Sequence, residues 1–293
     1  MKKQRDATFV LQSRSWKSTL VFLPPVVLLA ALVNWGSQVS QSNFGTQEEL
    51  DEIKADLQAV TCSDSHRLDA AKALFEKMGA PASDLSIQTQ RGVRNLVVIK
   101  RGTSDERIVV GAHYDKTYKG CGAIDNWTDI VAIAHIYKTL KSVPLTKTLI
   151  FVAFGKEEHG LVGSHAMADA ISTKELRLYC GMVNVDSLGL AIPQVADNLS
   201  AGKLEALSAG LAKEMGIKYS HAPVEGGLSD SHSFLVRGIP ALTIHGLSSE
   251  WKTILHTDAD QRSKVNPASV YLGYRLALAV VEAMDKALCD AFR

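Results

Sequence analysis

Three apolar segments constrain the fold of this chain more than any other feature of its sequence. They are RIVVGAHYD, LIFVAFGKEE and GMVNVDSLG, and each is followed by turn or helix signals. Short apolar runs of this kind are typical of buried strands. The carboxyl ends of parallel strands meet at one edge of an α/β sheet, so we expect the polar residues there to converge. These residues are His113 and Asp115, Glu157 and Glu158, and Asp186.

Helical patterns alternate with the strand-like runs along most of the chain. Central strands rich in Val, Ile and Phe, joined by helices, predict a sheet that is covered on both faces. We therefore expect an α/β fold, a three-layer α/β/α sandwich with a mixed, mostly parallel central sheet. Within it, the segment VRNLVVIKR is expected to pair with RIVVGAH as a hairpin across the turn GTSDE.

The beginning of the chain differs in composition from the rest. The predicted parts are a basic tail (1–17), an uncharged apolar segment (18–36), a polar linker (37–46) and a folded domain (47–293). Trp16 and Trp35 bracket the apolar segment at a spacing of about 28 Å of helix, close to the apolar thickness of a bilayer. This pattern favours a transmembrane anchor, preceded by a cytoplasmic tail. A cleaved signal peptide is the alternative, and either one exports the folded domain.

The charge distribution argues against nucleic acid as a partner. The net charge is +1, and residues 1–17 alone carry an excess of four positive charges, which leaves about −3 for the remainder. No basic stripe is left to bind a phosphate backbone.

Four cysteines follow the apolar segment, an even number that allows two disulfides in an oxidising compartment. Cys62 and Cys289 lie near the two ends of the folded domain. We expect these two to pair, which leaves Cys121 to pair with Cys180. Free buried cysteines are the alternative.

Two further segments add candidate metal ligands to those at the strand ends. Asp125 lies in GAIDNW and His256 in LHTDAD, so the set contains two imidazoles, several carboxylates and no thiolate. Such ligands suit a pair of divalent metals, with zinc as the first candidate. A two-metal hydrolytic centre needs a bridging carboxylate and a free carboxylate that accepts a proton from water. Alternatively, the aspartates cap helices and the glutamates form a solvated first turn of helix.

The order of the motifs is more specific than any one of them. H-x-D, G-A-x-D-N, E-E-x-G-L-x-G-S, N-x-D-x-x-G, G-I-P-A and H-T-x-x-D occur in turn between about residues 92 and 260. Together they resemble the M28 family of zinc aminopeptidases and carboxypeptidases. The resemblance implies an α/β/α sandwich that holds two zinc ions per chain. The matching ligands are His113, Asp125, Glu158, Asp186 and His256, with Asp125 bridging.

The resemblance also assigns roles to residues around the ligands. Glu157 matches the general base, and Asp115 matches the partner that orients His113. A cis peptide bond often follows the bridging aspartate in the family, so we expect one between Asp125 and Asn126.

The chain departs from the family pattern at several positions near the expected substrate. The usual D-N-x-S-G reads DNWTD, Leu255 replaces a common tyrosine, and the histidine of S-D-H is shifted by one. Trp127 is expected either to line the pocket or to pack inside the protein. The tentative substrate-binding residues are Trp127, His232, His245 and Leu255.

The expected function is the release of N-terminal amino acids from peptides. The enzyme would be membrane-anchored with its catalytic domain outside the cytoplasm, or secreted if the apolar segment is cleaved. One alternative is a glutaminyl cyclase-like enzyme of the same fold, with one zinc ion per chain. Another is an ectodomain that binds without catalysis. The sequence does not indicate an oligomeric state.

Overall fold

The computed structural model describes residues 46–293. The predicted tail, the apolar segment with its expected membrane span, and the linker up to residue 45 lie outside this range. Among the helices of residues 46–293, none combines the length and the apolar character that crossing a bilayer requires.

Within residues 46–293, seven strands form one mixed sheet, in the order β1-β2-β4-β3-β5-β7-β6. The strands are β1 (Leu85–Gln90), β2 (Val93–Lys100), β3 (Arg107–His113), β4 (Thr148–Phe154), β5 (Tyr179–Val185), β6 (Gln194–Val195) and β7 (Ala241–His245). The four central strands β4, β3, β5 and β7 are parallel to one another. The outer pairings are antiparallel. The predicted mixed sheet is therefore confirmed, with its parallel part in the centre.

The expected hairpin between β2 and β3 is wrong, because β4 lies between these strands. β2 instead forms its hairpin with β1, across Arg91 and Gly92, which both have positive φ (50° and 72°). Two residues of positive φ match the twist of a two-residue hairpin. The apolar pattern does not predict β1, because its sequence, LSIQTQ, is mostly polar, in keeping with a strand that is only partly buried.

Helices cover both faces of the sheet. They are α1 (Gln47–Gln58), α2 (Arg67–Lys77), α3 (Thr128–Leu140), α4 (Val162–Ala170), α5 (Gly202–Glu214), α6 (Ser231–Val236) and α7 (Pro267–Lys286). Side chains of a strand alternate between faces. Thus Leu96 and Val98 of β2 join the larger core with α1, α2, α3, α5 and α7. Val97 joins the smaller core with α4 and α6.

The cysteines form the disulfides Cys62–Cys121 and Cys180–Cys289, so the expected pairing is wrong. Nearness to the ends of the domain was a poor guide, because the fold brings each cysteine to a different neighbour. Cys62 lies just before α2, which packs against the loop that contains Cys121. Cys289 follows α7 and lies beside the start of β5, which contains Cys180.

Candidate metal centre

The predicted ligands meet at the carboxyl edge of the central strands. His113 is the last residue of β3, and Asp186 directly follows β5. Glu157 and Glu158 follow β4 after a two-residue turn, and β4, β3 and β5 are adjacent in the sheet. Parallel neighbours therefore bring these side chains together although they are far apart in sequence.

Six side chains form two clusters at this edge. In each cluster, one candidate ligand atom per residue lies within 4.8 Å of the others. The clusters are His113, Glu157 and Asp186, and Asp125, Glu158 and His256.

Asp125 connects the two clusters through its two carboxylate oxygens. Its Oδ1 lies 3.1 Å from Nε2 of His113, and its Oδ2 lies 3.0 Å from Nε2 of His256. Glu158 Oε2 lies 3.2 Å from the same nitrogen of His256. One carboxylate that faces two imidazoles with separate oxygens has the arrangement of a bridging ligand.

Glu157 and Asp186 are slightly farther from the first imidazole. Asp186 Oδ1 lies 3.8 Å from Nε2 of His113, and Glu157 Oε2 lies 4.0 Å from it. Asp125 also lies next to this imidazole, so His113, Asp186 and Asp125 can supply three ligands to one ion. Glu157 is then the additional carboxylate of this cluster.

Asp115 supports both glutamates. Its carboxylate accepts hydrogen bonds from the backbone N–H of Glu157 at 3.0 Å and of Glu158 at 3.2 Å. The Nδ1 atom of His113 lies 3.2 Å from the backbone carbonyl oxygen of Asp115 and 3.7 Å from its carboxylate. The carbonyl is therefore the nearer partner of the imidazole, which leaves Nε2 directed at the carboxylates.

Asp260 positions the segment around Asp125, a role that the sequence did not reveal. Its carboxylate accepts hydrogen bonds from the backbone N–H of Ile124 at 2.8 Å and of Asp125 at 3.2 Å. Burial raises the pKa of Asp260 to about 6. The available signal was the last aspartate of the H-T-x-x-D motif.

Asn126 and Asp129 hold the segment that follows Asp186. The amide oxygen of Asn126 accepts a hydrogen bond from the N–H of Ser187 at 3.1 Å. Both carboxylate oxygens of Asp129 accept from the N–H of Leu188, at 3.2 and 3.3 Å. Asp129 is completely buried, and burial raises its pKa well above the ordinary value. The departure DNWTD thus places a carboxyl group beneath the cluster.

The backbone around the cluster is unusual at several points. The peptide bond between Asp125 and Asn126 is cis, as expected from the resemblance. Lys156, Ser187 and His256 have left-handed φ values of 57°, 62° and 60°. Non-glycine residues in this region are strained by roughly 1–2 kcal/mol each, and such residues often occur at functional sites.

The electrostatics of the cluster favour bound cations. Burial raises the pKa of Glu157 well above its ordinary value, and Asp186 adds to the effect. Burial opposes a charged His113, but the surrounding carboxylates outweigh it and raise its pKa. Hydrogen bonds from His113 and His256 hold the pKa of Asp125 below its usual range despite burial. Within residues 46–293, Glu158 Oε1 is buried without a hydrogen-bond partner. This set of imidazole and carboxylate donors fits divalent metal ions such as zinc.

A cavity of about 200 Å³ opens beside the cluster. Its apolar wall contains Leu199, Val224, Leu228, Leu247, Trp251 and Leu255. His245 also lines it, and both ring nitrogens of this residue are engaged, with Ala222 O at 3.0 Å and the N–H of Leu247 at 3.2 Å. Of the tentative substrate-binding residues, the structure therefore brings Leu255 and His245 to the cavity.

Trp127 and His232 are not among the residues that line this cavity. Trp127 is buried in the larger core, and its indole N–H donates to the carbonyl oxygen of Asp56 at 3.1 Å. It therefore has the packing role that was the alternative at this position. His232 lies on α6 and is half-buried.

Comparisons with known proteins agree with the fold and the motifs. Aminopeptidase YwaD of Bacillus subtilis (strain 168) is 28% identical over 211 residues, which cover 68% of this chain and 46% of that protein. The solved structure of BSAP, a zinc aminopeptidase from Bacillus subtilis, superimposes with a TM-score of 0.61 at 26% identity. That alignment covers 68% of this chain and 54% of the other. The chain thus spans about half the length of such relatives.

A third comparison concerns the fold alone. The crystal structure of an Acidobacteriales bacterium glutaminyl cyclase superimposes with a TM-score of 0.68 at 19% identity, over 82% of this chain and 94% of that one. The family assignment comes from the sequence, since residues 95–281 match Peptidase family M28. With most of its length inside that match, this chain belongs to peptidase family M28.

Proposed function

We propose that this chain is a zinc-dependent exopeptidase that releases N-terminal amino acids from peptides. The observation that carries the proposal is the position of Asp125, whose two oxygens face His113 and His256 at 3.1 and 3.0 Å. Its relatives named as aminopeptidases support the reaction class.

The proposed roles follow from the two clusters. His113, Asp186 and Asp125 would hold one zinc ion, and Glu158, His256 and Asp125 the other. When bound, the zinc ions would lower the pKa of a water molecule and polarise the substrate carbonyl. Their charge would also offset the repulsion among the buried carboxylates.

Glu157 is the carboxylate left free in this arrangement. It would accept the proton of the attacking water and pass it to the leaving amine. Its pKa is raised by burial and by neighbouring carboxylates, which moves it toward the working pH of a general base. The N–H bond to Asp115 fixes its backbone, so the side chain starts from a defined position.

The cavity suggests which first residues would be accepted. Part of its wall is aliphatic or aromatic, and the carboxylates of the cluster line the same cavity. We propose that an apolar side chain occupies the wall, while the free amino group of the substrate lies near the carboxylates. Acetylation of that amino group would then remove the main polar anchor.

Export and membrane anchoring remain part of the proposal. Two disulfides within residues 46–293 favour an oxidising compartment. Together with the basic tail and the apolar segment, they support a catalytic domain outside the cytoplasm.

A glutaminyl cyclase activity is the second candidate. The shared fold favours it, as does Trp251 near the ligand histidine. It predicts one zinc ion per chain, whereas the bridging position of Asp125 favours two. A purely binding role is less consistent with a site that retains all five ligands and Glu157.

Purified protein tests these alternatives directly. We expect about two zinc ions per chain, cleavage of leucyl nitroanilide, no cleavage of its N-acetylated form, and loss of activity with chelator. One zinc ion per chain with cyclisation of a glutaminyl peptide would favour the second candidate. Absence of zinc and of both activities would leave only a binding role.

A further inference from the structure

Arg67 is a completely buried cation that the proposed mechanism does not use. It is the first residue of α2 and has no exposed surface. It also lies outside residues 95–281, the part of the chain that matches the family. A buried charge is costly unless it is well compensated, so its contacts indicate what it does for the protein.

Within residues 46–293, the guanidinium group of Arg67 donates four hydrogen bonds, and all of them go to backbone carbonyl oxygens. Nη2 donates to Cys121 and to Gly122, the latter at 2.6 Å. Nη1 donates to Tyr114 at 3.4 Å, and Nε donates to Thr61 at 3.2 Å. Tyr114 directly follows the ligand His113, and Gly122 lies three residues before Asp125. One guanidinium group therefore joins two ligand-bearing segments.

The loop before Asp125 is packed directly on this guanidinium group. Gly122 has a φ of 60°, and a Cβ atom there would lie 2.9 Å from Nη2 of Arg67. The Cys62–Cys121 disulfide joins the same loop to the segment that precedes α2. The loop is thus attached to the start of α2 by a covalent bond and by charged hydrogen bonds, which are stronger than neutral ones.

Carboxylates in and around the metal centre compensate the charge of Arg67. Burial lowers its pKa to about 10, which leaves it charged at neutral pH, and the carboxylates of Asp260, Asp64, Asp125 and Asp115 oppose this decrease. Two of these four are the bridging candidate Asp125 and its support Asp260. The positive charge of Arg67 thus stabilises the negatively charged carboxylates of the site from a position that solvent does not reach.

We propose that Arg67, held in place by the Cys62–Cys121 disulfide, is a positioning residue that fixes the Asp125 loop against the His113 segment, so that Asp125 can bind two metal ions. The inference rests on the proposed dizinc function. Arg67 would then be a residue outside the family match, residues 95–281, that holds metal ligands in place.

Lys147 provides a matched control for Arg67. It is also a buried cation, and it donates to the backbone carbonyls of Asp285 at 2.9 Å and Ala287 at 2.6 Å. It directly precedes β4, and therefore lies at the opposite edge of the sheet from the metal centre. In the same way, the Cys180–Cys289 disulfide is a control for Cys62–Cys121, because Cys180 lies near the start of β5.

The test measures zinc affinity by competition with a chromophoric chelator, alongside thermal unfolding of each variant. Loss of a residue that supports metal ligands weakens metal binding by about 10- to 100-fold. We expect Arg67→Met to lower the affinity for at least one of the two zinc ions by that factor, and Arg67→Lys to lower it less. Lys147→Met should bind zinc with the affinity of the wild type.

The disulfide variants keep the inference testable if Arg67→Met does not fold. We expect Cys62→Ser/Cys121→Ser to bind zinc more weakly than Cys180→Ser/Cys289→Ser, even where both are equally destabilised. The inference would be overturned if Arg67→Met bound zinc as tightly as Lys147→Met, and if the two disulfide variants also had equal zinc affinity. If one variant does not fold, the other comparison decides. Wild-type protein that binds no zinc would instead overturn the proposed function, which distinguishes the two failures.

Discussion

Asp115 accepts a hydrogen bond from the backbone N–H of Glu157 at 3.0 Å, which joins the segment after β3 to the segment after β4. The same carboxylate accepts from the N–H of Glu158 at 3.2 Å. The orientation of the proposed base and of a proposed ligand therefore depends on one buried carboxylate. This relationship gives the first prediction.

Replacement of Asp115 by Asn leaves one carbonyl oxygen where the carboxylate offers two acceptors. One of the two N–H groups then loses its partner, and the glutamates are held less firmly. We expect kcat/KM to fall about 10- to 100-fold, as is typical when the support of a metal site is altered. Steady-state kinetics with leucyl nitroanilide checks this, and an unchanged kcat/KM would show that the two hydrogen bonds do not position the glutamates.

Glu157→Gln removes the proposed base while keeping the size of the side chain. We expect kcat to fall by about 10²- to 10⁴-fold, because a general base contributes roughly that factor. Zinc content should stay at the wild-type value, since Glu157 is not needed as a ligand. Glu214→Gln, at an exposed position at the end of α5, serves as the control. Loss of zinc in Glu157→Gln would reassign this residue as a ligand.

The raised pKa of His256 leads to a prediction of how the stability of the metal-free protein depends on pH. Hydrogen bonds with Asp125 and Glu158 raise its pKa from 6.5 to about 10. Between these values the folded protein keeps a proton that the unfolded chain has lost, so the free energy of unfolding falls as pH rises. The stabilisation is fully present below 6.5 and is lost as pH passes through about 10.

Thermal unfolding of chelator-treated protein across this pH interval provides the measurement. We expect Tm to fall with rising pH, and to fall less steeply in His256→Asn. His113 contributes in the same direction, because its pKa is also raised, so some slope will remain. His66→Asn, in the segment before α2, is the control. An identical slope in His256→Asn and wild type would contradict the prediction.

Trp127→Phe separates a packing role from a substrate-binding role. The variant loses the indole N–H that donates to Asp56, which leaves a buried carbonyl oxygen without this donor. We expect the free energy of unfolding to fall by about 1–3 kcal/mol, with KM unchanged at a temperature where the variant is folded. Trp251→Phe, in the wall of the cavity, should show the reverse pattern. Urea unfolding and steady-state kinetics measure the two effects, and a raised KM in Trp127→Phe would refute its assignment to the core.

The meeting of the residues that follow the central strands was predictable, because parallel strands all end at the same edge of the sheet. His113 and Asp186 needed only the apolar pattern and the sheet rule. The motif H-T-x-x-D marks Asp260 as a candidate, but no periodicity shows that Asp260 and Arg67 hold backbone groups of loops. The sequence leaves the role of Trp127 open for a similar reason, since the local pattern does not show which way the residues at the start of α3 face.

The strand order was predicted only in part. Adjacent segments in sequence suggested that β2 pairs with β3, yet β3 is buried and takes parallel partners on both sides. The polar, partly exposed β1 has no strong apolar signal, although its two-residue turn with Gly92 marks a hairpin.

The two disulfides are consecutive along the chain, since the first closes at Cys121 before Cys180 is reached. A chain that enters an oxidising compartment from its amino end would present its thiols in that order. Each thiol would then meet its native partner as the next available one, so the correct one of three pairings could arise without reshuffling by an isomerase.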